Sequence, residues 1–429
     1  MSNLIFKSKR FLIKTITQKE CTKNYVNWIV KEKFIEFKLN NKPNISSLKN
    51  YVKKKNNKFF LAIFSKSNKH IGNIKFDLID TKRKYYDMGI LIGDDNWKYK
   101  GVFKEVFLTV LPHLYYMKKP SKIFLGVKKN NLKAKSSFKK VGFKIFKKQH
   151  NSIIMVYDLC NKFHNINRLI LGTAQLNNKY GYFKNNLNSK KKINELLILS
   201  KDYGIDTIDT AYAYKNLDII KKSNIVSKFK IIYKIKNLFE LDYIKKNKNF
   251  FKKFEIMIHN ENFKKDIIEI KKVAKKTNIG FSIYSANNLE KISQYKFINI
   301  LQVPINIFNQ EFLMKQNLKL YRKLSELHIR SVFLQGLLIN QNLPKRFRKF
   351  KNIHSSWFNW INKNKLNPIN VCLNYVLNKN NNYKIIIGVN SSENLKEIIQ
   401  NLWIKSISIP KYFARVDKNF SKIENWKKL

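Results

Sequence analysis

The stretch GIDTIDTAYAY, Gly204–Tyr214, decides the fold of the C-terminal part of the chain. Its central residues are apolar or β-branched and predict a short buried strand that ends at Asp209. Two similar runs follow, KIIYK ending at Lys234 and EIMIH ending at His259. A polar residue thus closes each strand, and each comes 25 residues after the last (209, 234, 259). That interval holds one strand and one helix, which indicates a repeated βα unit.

Outward from this stretch, apolar runs alternate with helical stretches along the whole segment. The predicted strands are Leu169–Gly172, Thr207–Asp209, Lys230–Ile235, Glu255–His259, Gly280–Tyr284, Ile298–Val303, Arg330–Leu334 and Lys384–Val389. Eight βα units in this length predict an α/β fold, a closed (β/α)8 or TIM barrel. We place the barrel at residues 168–400. Residues 401–429 are a C-terminal extension that either covers the barrel or meets a partner.

The polar residues at these strand ends suit a carbonyl reduction. Strand ends of a parallel barrel meet at one mouth, so Asp209, Lys234 and His259 should converge there. Tyr214 would donate the proton, and Lys234 would lower the phenol pKa from about 10. Asp209 would hold Lys234, and His259 would orient the substrate oxygen. Singly, each residue is more often a cap or a core residue than a catalytic one; their joint spacing favours catalysis.

This segment resembles the aldo/keto reductase family, whose motifs occur here in the family's order. The matching stretches are Leu169–Gly181, Gly204–Tyr214, Asn278–Ser285, Leu301–Asn306, Arg330–Leu338 and Ile385–Glu397. The resemblance implies an NAD(P)-dependent oxidoreductase whose catalytic residues are Asp209, Tyr214, Lys234 and His259. It implies that NADP, or NAD, is bound by Gly172, Thr173, Ser282, Gln302, Phe333, Gly336, Leu338, Asn390, Ser391, Asn394 and Glu397.

The resemblance also assigns finer roles within the cofactor site. Ser282 and Gln302 would bind the carboxamide of the nicotinamide, and Phe333 would stack on its ring. One departure weakens this expectation, because the family's asparagine after Ser282 is replaced here by Ile283. No departure removes a catalytic group.

Residues 1–160 are predicted to form a separate α+β domain, with a polar linker at 161–167. Its predicted strands are Lys58–Phe64, Ile71–Phe76, Met88–Ile92, Lys122–Val127 and Ile153–Tyr157, and its predicted helices are Tyr25–Phe37 and Gly101–Tyr116. A basic loop with Gly101 joins a strand to a helix N-terminus. Backbone N–H groups at such a point can hold a pyrophosphate.

This domain resembles the GNAT acetyltransferases, which implies acetyl-CoA as co-substrate and an amine as acceptor. The family's two motifs fall on Lys98–Phe103 and Asn131–Phe143. The implied acetyl-CoA contacts are Lys98, Lys100, Gly101, Val102, Phe103 and Asn131. Phe103 replaces a small residue and would crowd the loop, and Phe138 replaces a tyrosine acid. Asp87 is a candidate base by its position only.

The net charge is +58, from 86 lysines and arginines against 28 acidic residues. Only eight of the basic residues are arginine, and the lysines are spread along the chain. This favours compositional bias, so no specific nucleic-acid partner is expected. No run is apolar enough to span a membrane, and no signal peptide or metal-binding spacing is evident. With three separated cysteines, these features predict a cytoplasmic location.

Three functional hypotheses remain. The first is a bifunctional enzyme whose barrel reduces a carbonyl, or oxidises an alcohol, on a small sugar-like substrate. Its other domain would acetylate an amine, and nucleotide sugars in bacterial surface-sugar biosynthesis would be its substrates. The second is a reductase with a non-catalytic N-terminal binding module. The third, a polyanion-binding protein built on two enzyme folds, predicts steeply salt-dependent nucleic-acid binding.

Overall fold

The chain divides into two units, Met1–Phe163 and His164–Leu429. The computed structural model describes residues 4–31, 43–54, 59–159, 163–176, 182–183, 189–250, 252–259, 267–273, 277–314, 317, 326–380, 382–403 and 407–428. A short 3-10 helix, Phe163–Arg168, lies where the linker 161–167 is expected, and residues 160–162 are outside the described part. Among the described residues, no helix is both long enough and apolar enough to cross a bilayer.

The first unit is built on one sheet of eight strands. Its strands are β1 Ile5–Lys7, β2 Phe11–Thr15, β3 Phe59–Ser65, β4 His70–Asp80, β5 Tyr85–Ile92, β6 Lys122–Lys128, β7 Lys144–Lys148 and β8 Ser152–Asp158. Their order in the sheet is β1-β2-β3-β4-β5-β6-β8-β7. Its helices are α1 Lys23–Lys31, α2 Ile45–Lys54, α3 Val102–Lys118 and α4 Leu132–Val141.

Five of these strands overlap the runs predicted from sequence, and α3 overlaps the predicted helix Gly101–Tyr116. The predicted helix Tyr25–Phe37 is observed as α1 up to Lys31, and residues 32–37 lie outside the described residues. Strands β1, β2 and β7 were not predicted. All residues of β7 are exposed, and β1 has only three residues, so neither shows a periodic pattern long enough to recognise.

The sheet opens between β5 and β6. These strands pair in parallel over three residues only, Tyr85–Asp87 with Lys122–Phe124. From there β5 continues to Ile92, while β6 follows β8 in an antiparallel pairing along its length. The divergence leaves backbone groups of β5 available to a ligand, because an unpaired strand edge has free N–H and C=O groups.

The second unit contains the predicted barrel. Its strands are β9 Leu169–Gly172, β10 Thr207–Ala211, β11 Lys230–Ile235, β12 Lys253–Ile258, β13 Ile279–Ser282, β14 Ile298–Pro304, β15 Glu326–Arg330 and β16 Tyr383–Gly388. They are parallel and close into a ring in the order β10-β11-β12-β13-β14-β15-β16-β9. The fold class predicted from sequence, an α+β domain followed by an eight-stranded parallel barrel, is therefore confirmed.

The prediction for the seventh barrel strand was wrong. Arg330–Leu334 was expected as the strand, whereas β15 ends at Arg330. The backbone turns at Ser331, whose φ is +62°, and residues 332–334 are buried in the loop that follows. A short apolar run has the same pattern in a buried loop as in a buried strand, which explains the error. The correction places Arg330 at a strand end.

Helices surround the barrel strands. They are α5 Lys190–Asp202, α6 Leu217–Lys221, α7 Leu238–Lys245, α8 Ile267–Val273, α9 Leu289–Ser293, α10 Lys351–Lys363, α11 Pro368–Leu377, α12 Ser392–Gln400 and α13 Lys418–Ser421. Inside the barrel, Ile170, Ile232, Met257 and Ile300 form a buried layer. Side chains therefore fill the interior and leave the mouth as the place for a ligand.

The C-terminal extension packs on the barrel unit. The ring of Phe420 stacks on Phe350 at a centroid distance of 4.8 Å, and Trp426 lies against Phe347 at 4.7 Å. All four side chains are buried. Of the two positions left open by the sequence, covering the barrel or meeting a partner, the structure shows the first for the described residues 407–428.

Candidate active site

A buried ion pair lies at the mouth of the barrel. Lys234 Nζ donates to Asp209 Oδ1 at 2.5 Å, and both side chains are nearly inaccessible to solvent. Strands β10 and β11 are neighbours, and their register pairs Ala211 with Lys234. Asp209 lies two residues before Ala211 and so points to the same face, into the barrel. A buried charge needs such a partner, so each residue holds the other in place.

A hydrogen-bond chain from two further strands fixes Asp209. Gln302 Nε2 donates to Asp209 Oδ2 at 2.8 Å, and Ser282 Oγ donates to Gln302 Oε1 at 3.1 Å. The hydroxyl of Thr173 donates to the backbone carbonyl of Asp209 at 3.0 Å. All three side chains are predicted cofactor contacts. Here Gln302 and Thr173 bond to Asp209, and Ser282 bonds to Gln302. Both oxygens of that carboxylate are thereby occupied.

His259 follows β12 directly. Its Nδ1 lies 3.3 Å from the carbonyl oxygen of Ser282, and its Nε2 lies 3.2 Å from the hydroxyl of Tyr284. Burial, reinforced by the charges of Lys234 and Arg330, lowers the pKa of His259 to about 3, so the ring is neutral. Since a carbonyl can only accept, the ring proton belongs on Nδ1 and Nε2 accepts from Tyr284. Donation from His259 to a substrate oxygen requires the other tautomer.

Tyr214 lies in a 3-10 turn, Tyr212–Tyr214, directly after β10. Lys234 Nζ is 5.8 Å from the centre of its ring. Burial, together with the negative charge of Asp209, raises the pKa of the Tyr214 phenol. Lys234, which is expected from the sequence to lower this pKa, is itself paired with Asp209. The phenol stays protonated at neutral pH and is available as a proton donor.

Arg330 and Tyr284 are site residues that the sequence analysis missed. Arg330 lies at the end of β15, and its guanidinium carbon is 4.2 Å from the centre of the Tyr284 ring. Its Nη2 donates to the backbone carbonyl of Ile283 at 3.0 Å. The displaced strand prediction hid Arg330, because it put this residue at the start of the strand, away from the mouth. The strand-end position of a polar residue was the signal that could have found it.

One cavity of about 630 Å³ joins these residues. All four predicted catalytic residues line it: Asp209, Tyr214, Lys234 and His259. Of the predicted cofactor residues, those in its wall are Gly172, Phe333, Gly336, Asn390, Ser391, Asn394 and Glu397. Four others lie behind the wall, with no more than 1% of their surface exposed: Thr173, Ser282, Gln302 and Leu338. The cavity also includes Ile423 from the C-terminal extension.

The far end of the cavity is the N-terminus of α12. Ser391 caps this helix, and its hydroxyl accepts from the backbone N–H of Asn394 at 3.0 Å. Gly172 and Gly388 are paired across β9 and β16, and the side chain of Gln175 lies over Gly388 where a Cβ would stand. Free N–H groups at a helix start, together with amide and hydroxyl groups, fit the phosphates and ribose of a dinucleotide.

A second candidate site lies in the first unit, where β5 leads into α3. Gly101 adopts a left-handed conformation, with φ of +73°, directly before the helix. Arg10 holds this loop, since its Nη2 donates to the carbonyl of Lys100 at 3.0 Å and its Nε to Glu105 at 2.7 Å. The first N–H groups of α3, from Val102 onward, have no partner within the helix and can bind an anion.

The other predicted acetyl-CoA contacts occupy varied positions. Lys98 forms an ion pair with Asp95 at 2.8 Å, and Asn131 caps α4 by accepting from the N–H of Ala134 at 3.1 Å. Phe103 does not crowd the loop, so that expectation was wrong. Its ring is buried at 4.9 Å from the ring of Phe138, and only its backbone can face a phosphate.

Asp87 lies where β5 and β6 diverge. Opposite it, across the sheet, is Asp77 of β4, which forms an ion pair with Lys75 at 3.1 Å. Burial raises the pKa of Asp87, against the charge of Lys75, which lowers it, and together with the charge of Asp77. A carboxylate with a raised pKa beside an opening in the sheet has the properties of a general base.

A comparison with known protein families identifies a domain within the first unit. A family model described as an acetyltransferase (GNAT) domain matches residues 10–144. The chain is similar to the solved structure of an acetyltransferase (GNAT family) from Bacillus anthracis, at 18% identity over 36% of this chain and 98% of that chain, with a TM-score of 0.32. No curated protein matches the chain.

Two further solved structures are similar over the same share of the chain. One is RimL, a ribosomal L7/L12 alpha-N-protein acetyltransferase in complex with coenzyme A, at 10% identity over 37% of this chain and 99% of that chain, with a TM-score of 0.33. The other is apo FdhC, a nucleotide-linked sugar GNAT, at 17% identity over 37% and 91%, with a TM-score of 0.31. By the family match, residues 10–144 form a GNAT acetyltransferase domain, as predicted.

Proposed function

We propose that the barrel is a nicotinamide-dependent reductase of the aldo/keto reductase type. The observation that carries this proposal is the cavity, which brings Asp209, Tyr214, Lys234 and His259 together. The same cavity reaches the N-terminus of α12, where the predicted nucleotide contacts lie. The proposed positions of the carbonyl and of the dinucleotide would thus share one continuous space.

Each residue of the site would have a separate role in the reduction of a carbonyl. The nicotinamide cofactor, NADP or NAD, would supply the hydride to the carbonyl carbon. Tyr214 would donate its phenolic proton to the carbonyl oxygen and later regain one from solvent. The ion pair of Lys234 with Asp209 gives the developing phenolate a fixed cation nearby. The reverse reaction, oxidation of an alcohol, uses the same groups in the opposite order.

We propose that the first unit transfers an acetyl group from acetyl-CoA to an amine. The loop at Gly101 and the start of α3 would hold the pyrophosphate, and Asp87 would take the proton from the amine. One observation favours the alternative of a non-catalytic binding module. Phe138, which replaces the family's tyrosine acid, is buried against Phe103, so no proton donor is present at that position.

The substrate class of the two domains is proposed from the sequence resemblance. A small sugar-like carbonyl compound, nucleotide sugars included, would suit a chain that joins reduction to amine acetylation. Bacterial surface-sugar biosynthesis is a setting that requires both steps. Recognition would then depend on polar and charged groups around the cavity.

The test of the reductase uses two neighbouring tyrosines. Tyr214→Phe should lower kcat for aldehyde reduction by about 10²- to 10⁴-fold while binding of NADPH and NADH, followed by fluorescence quenching, is kept. Tyr212→Phe is the matched control, since Tyr212 lies in the same turn but packs against Tyr243 at 5.3 Å. Equal activity of both variants, or no nucleotide binding by the wild type, would refute the reductase.

The test of the first unit separates catalysis from binding. The full chain is titrated with acetyl-CoA, and release of CoA is then followed with a panel of amino sugars. Asp87→Asn should lower turnover and leave acetyl-CoA affinity in place. Binding without turnover on any amine would favour the binding module over the enzyme.

A further inference from the structure

The guanidinium group of Arg330 lies beside the proposed reductase residues and has no role in the proposed reduction. Arg330 is the last residue of β15 and lines the same cavity as Tyr214 and His259. Its side chain is half-buried. A charged group at the mouth of a barrel, next to the reacting residues, is placed where a substrate must pass.

The hydrogen bonds of Arg330 are incomplete. One donor, Nη2, is used by the carbonyl of Ile283, and the planar face of the group covers the ring of Tyr284. Its Nε is buried and has no hydrogen-bond partner in the described part of the chain. A guanidinium has five N–H donors, and among the described residues Arg330 uses only one of them, on Nη2, so the remaining donors of its terminal nitrogens can take an oxyanion.

Arg330 also forms no ion pair among the described residues. The other cavity cation, Lys234, is paired with Asp209 at 2.5 Å, whereas no carboxylate of the described chain lies within ion-pair distance of Arg330. Glu424 of the C-terminal extension is near enough to feel its charge, yet a carboxylate oxygen of Glu424 is itself buried without a hydrogen-bond partner. At this end of the cavity the positive charge of Arg330 faces an incoming ligand, whereas the second carboxylate of the wall, Glu397, belongs to α12 at the far end.

We infer that Arg330 binds an anionic group of the carbonyl substrate, a carboxylate or a phosphate ester. This inference rests on the proposed reductase function of the cavity. Tyr284 links the two positions, because Arg330 covers its ring and its hydroxyl bonds to His259. One tyrosine side chain thus separates the anion position from the carbonyl position. The substrate is therefore compact, with its carbonyl and its anionic group a few bonds apart.

The first measurement is binding of simple anions. The wild-type full chain, Arg330→Gln and Arg348→Gln are titrated by calorimetry with benzoate, phenyl phosphate and neutral benzamide. Arg348 is exposed on another element, so its variant removes the same charge away from the cavity. We expect Arg330→Gln to weaken one of the two anions by about 10- to 100-fold and Arg348→Gln to leave both unchanged. The anion that is affected identifies the carboxylate or the phosphate class.

The second measurement is turnover with a matched pair of aldehydes. The ratio of kcat/KM for 4-carboxybenzaldehyde over 4-methylbenzaldehyde, or for glyceraldehyde 3-phosphate over glyceraldehyde, should collapse in Arg330→Gln and be partly kept in Arg330→Lys. NADPH affinity is measured in parallel. A fall in NADPH affinity equal to the fall in anion affinity would assign Arg330 to the cofactor and overturn the inference.

The two proposals fail in different ways. Reduction that depends on Tyr214, with anion affinity equal in the wild type and Arg330→Gln, overturns the anion site and keeps the reductase. Anion binding that is lost only in Arg330→Gln, with no reduction of any aldehyde, supports the anion site and refutes the reductase.

Discussion

The two candidate sites differ in whether side chains or backbone groups form most of the site. In the barrel, side chains make the site: a tyrosine, a paired aspartate and lysine, and a histidine, the last three fixed by hydrogen bonds. In the first unit, the backbone makes most of the site, through two diverging strands, a left-handed glycine and the start of α3. Side chains there, such as Lys98 and Phe103, are engaged elsewhere.

This contrast explains how far each site tolerates departures from its family's pattern. A backbone cradle survives the replacement of a small residue by Phe103, since the ring turns into the core. A side-chain site has no such freedom, because each polar group is buried and needs its own partner. The barrel site should therefore respond to single polar substitutions more strongly than the site of the first unit.

The largest effect should come from breaking the buried ion pair. Lys234→Met leaves the Asp209 carboxylate buried without its cation, which costs about 3–5 kcal/mol of unfolding free energy. Aldehyde reduction should also fall by about 10²-fold or more. Calorimetric melts and steady-state rates measure both. Lys236→Met, at an exposed position two residues away, is the control, and equal losses in the two variants would contradict the contrast.

An intermediate effect is expected on acidification. The folded pKa of His259 is about 3, below its ordinary value, so the unfolded chain binds a proton that the folded barrel does not. Stability is thus complete above about pH 6.5 and falls below it, by about 1.4 kcal/mol per pH unit from this side chain.

Melts of the wild type, His259→Gln and the exposed His150→Gln between about pH 7 and pH 5 check this sign. His259→Gln should lose stability less steeply than the other two proteins. Acetyl-CoA affinity, which we attribute to backbone groups, should change little over the same range. Parallel slopes for all three proteins would remove His259 as the cause.

The smallest effect is expected on acetyl-CoA affinity, where it should separate the contribution of backbone groups from that of side chains in the first unit. Gly101→Ala forces a side chain into the left-handed region, at a cost of about 1–2 kcal/mol, although the space beside Gly101 is open. Acetyl-CoA affinity should fall about tenfold. Lys98→Met should change it by about twofold at most, within the range of an exposed ion pair. A larger effect from Lys98 would show that side chains matter here as well.

The sequence predicted the site residues that occur at a regular spacing. The spacing of Asp209, Lys234 and His259 predicted that they meet, and all three line the cavity. The prediction was wrong at β15, because the apolar loop after this strand has the sequence pattern of a strand. Arg330 was therefore not recognised as a residue of the site. The directions of the bonds made by Gln302 and Ser282 depend on neighbours distant in sequence. No local pattern encodes them.

The closure of the barrel has a consequence for the order of events in synthesis. The first barrel strand pairs with the last, Gly172 with Gly388, and the wall of the cavity includes Ile423. A ribosome must therefore make nearly the whole second unit before the ring and its cavity can form. The first unit has all its strands by residue 158 and can fold while the barrel is still being translated. Contacts this distant in sequence form slowly, so barrel assembly should be the late step in maturation.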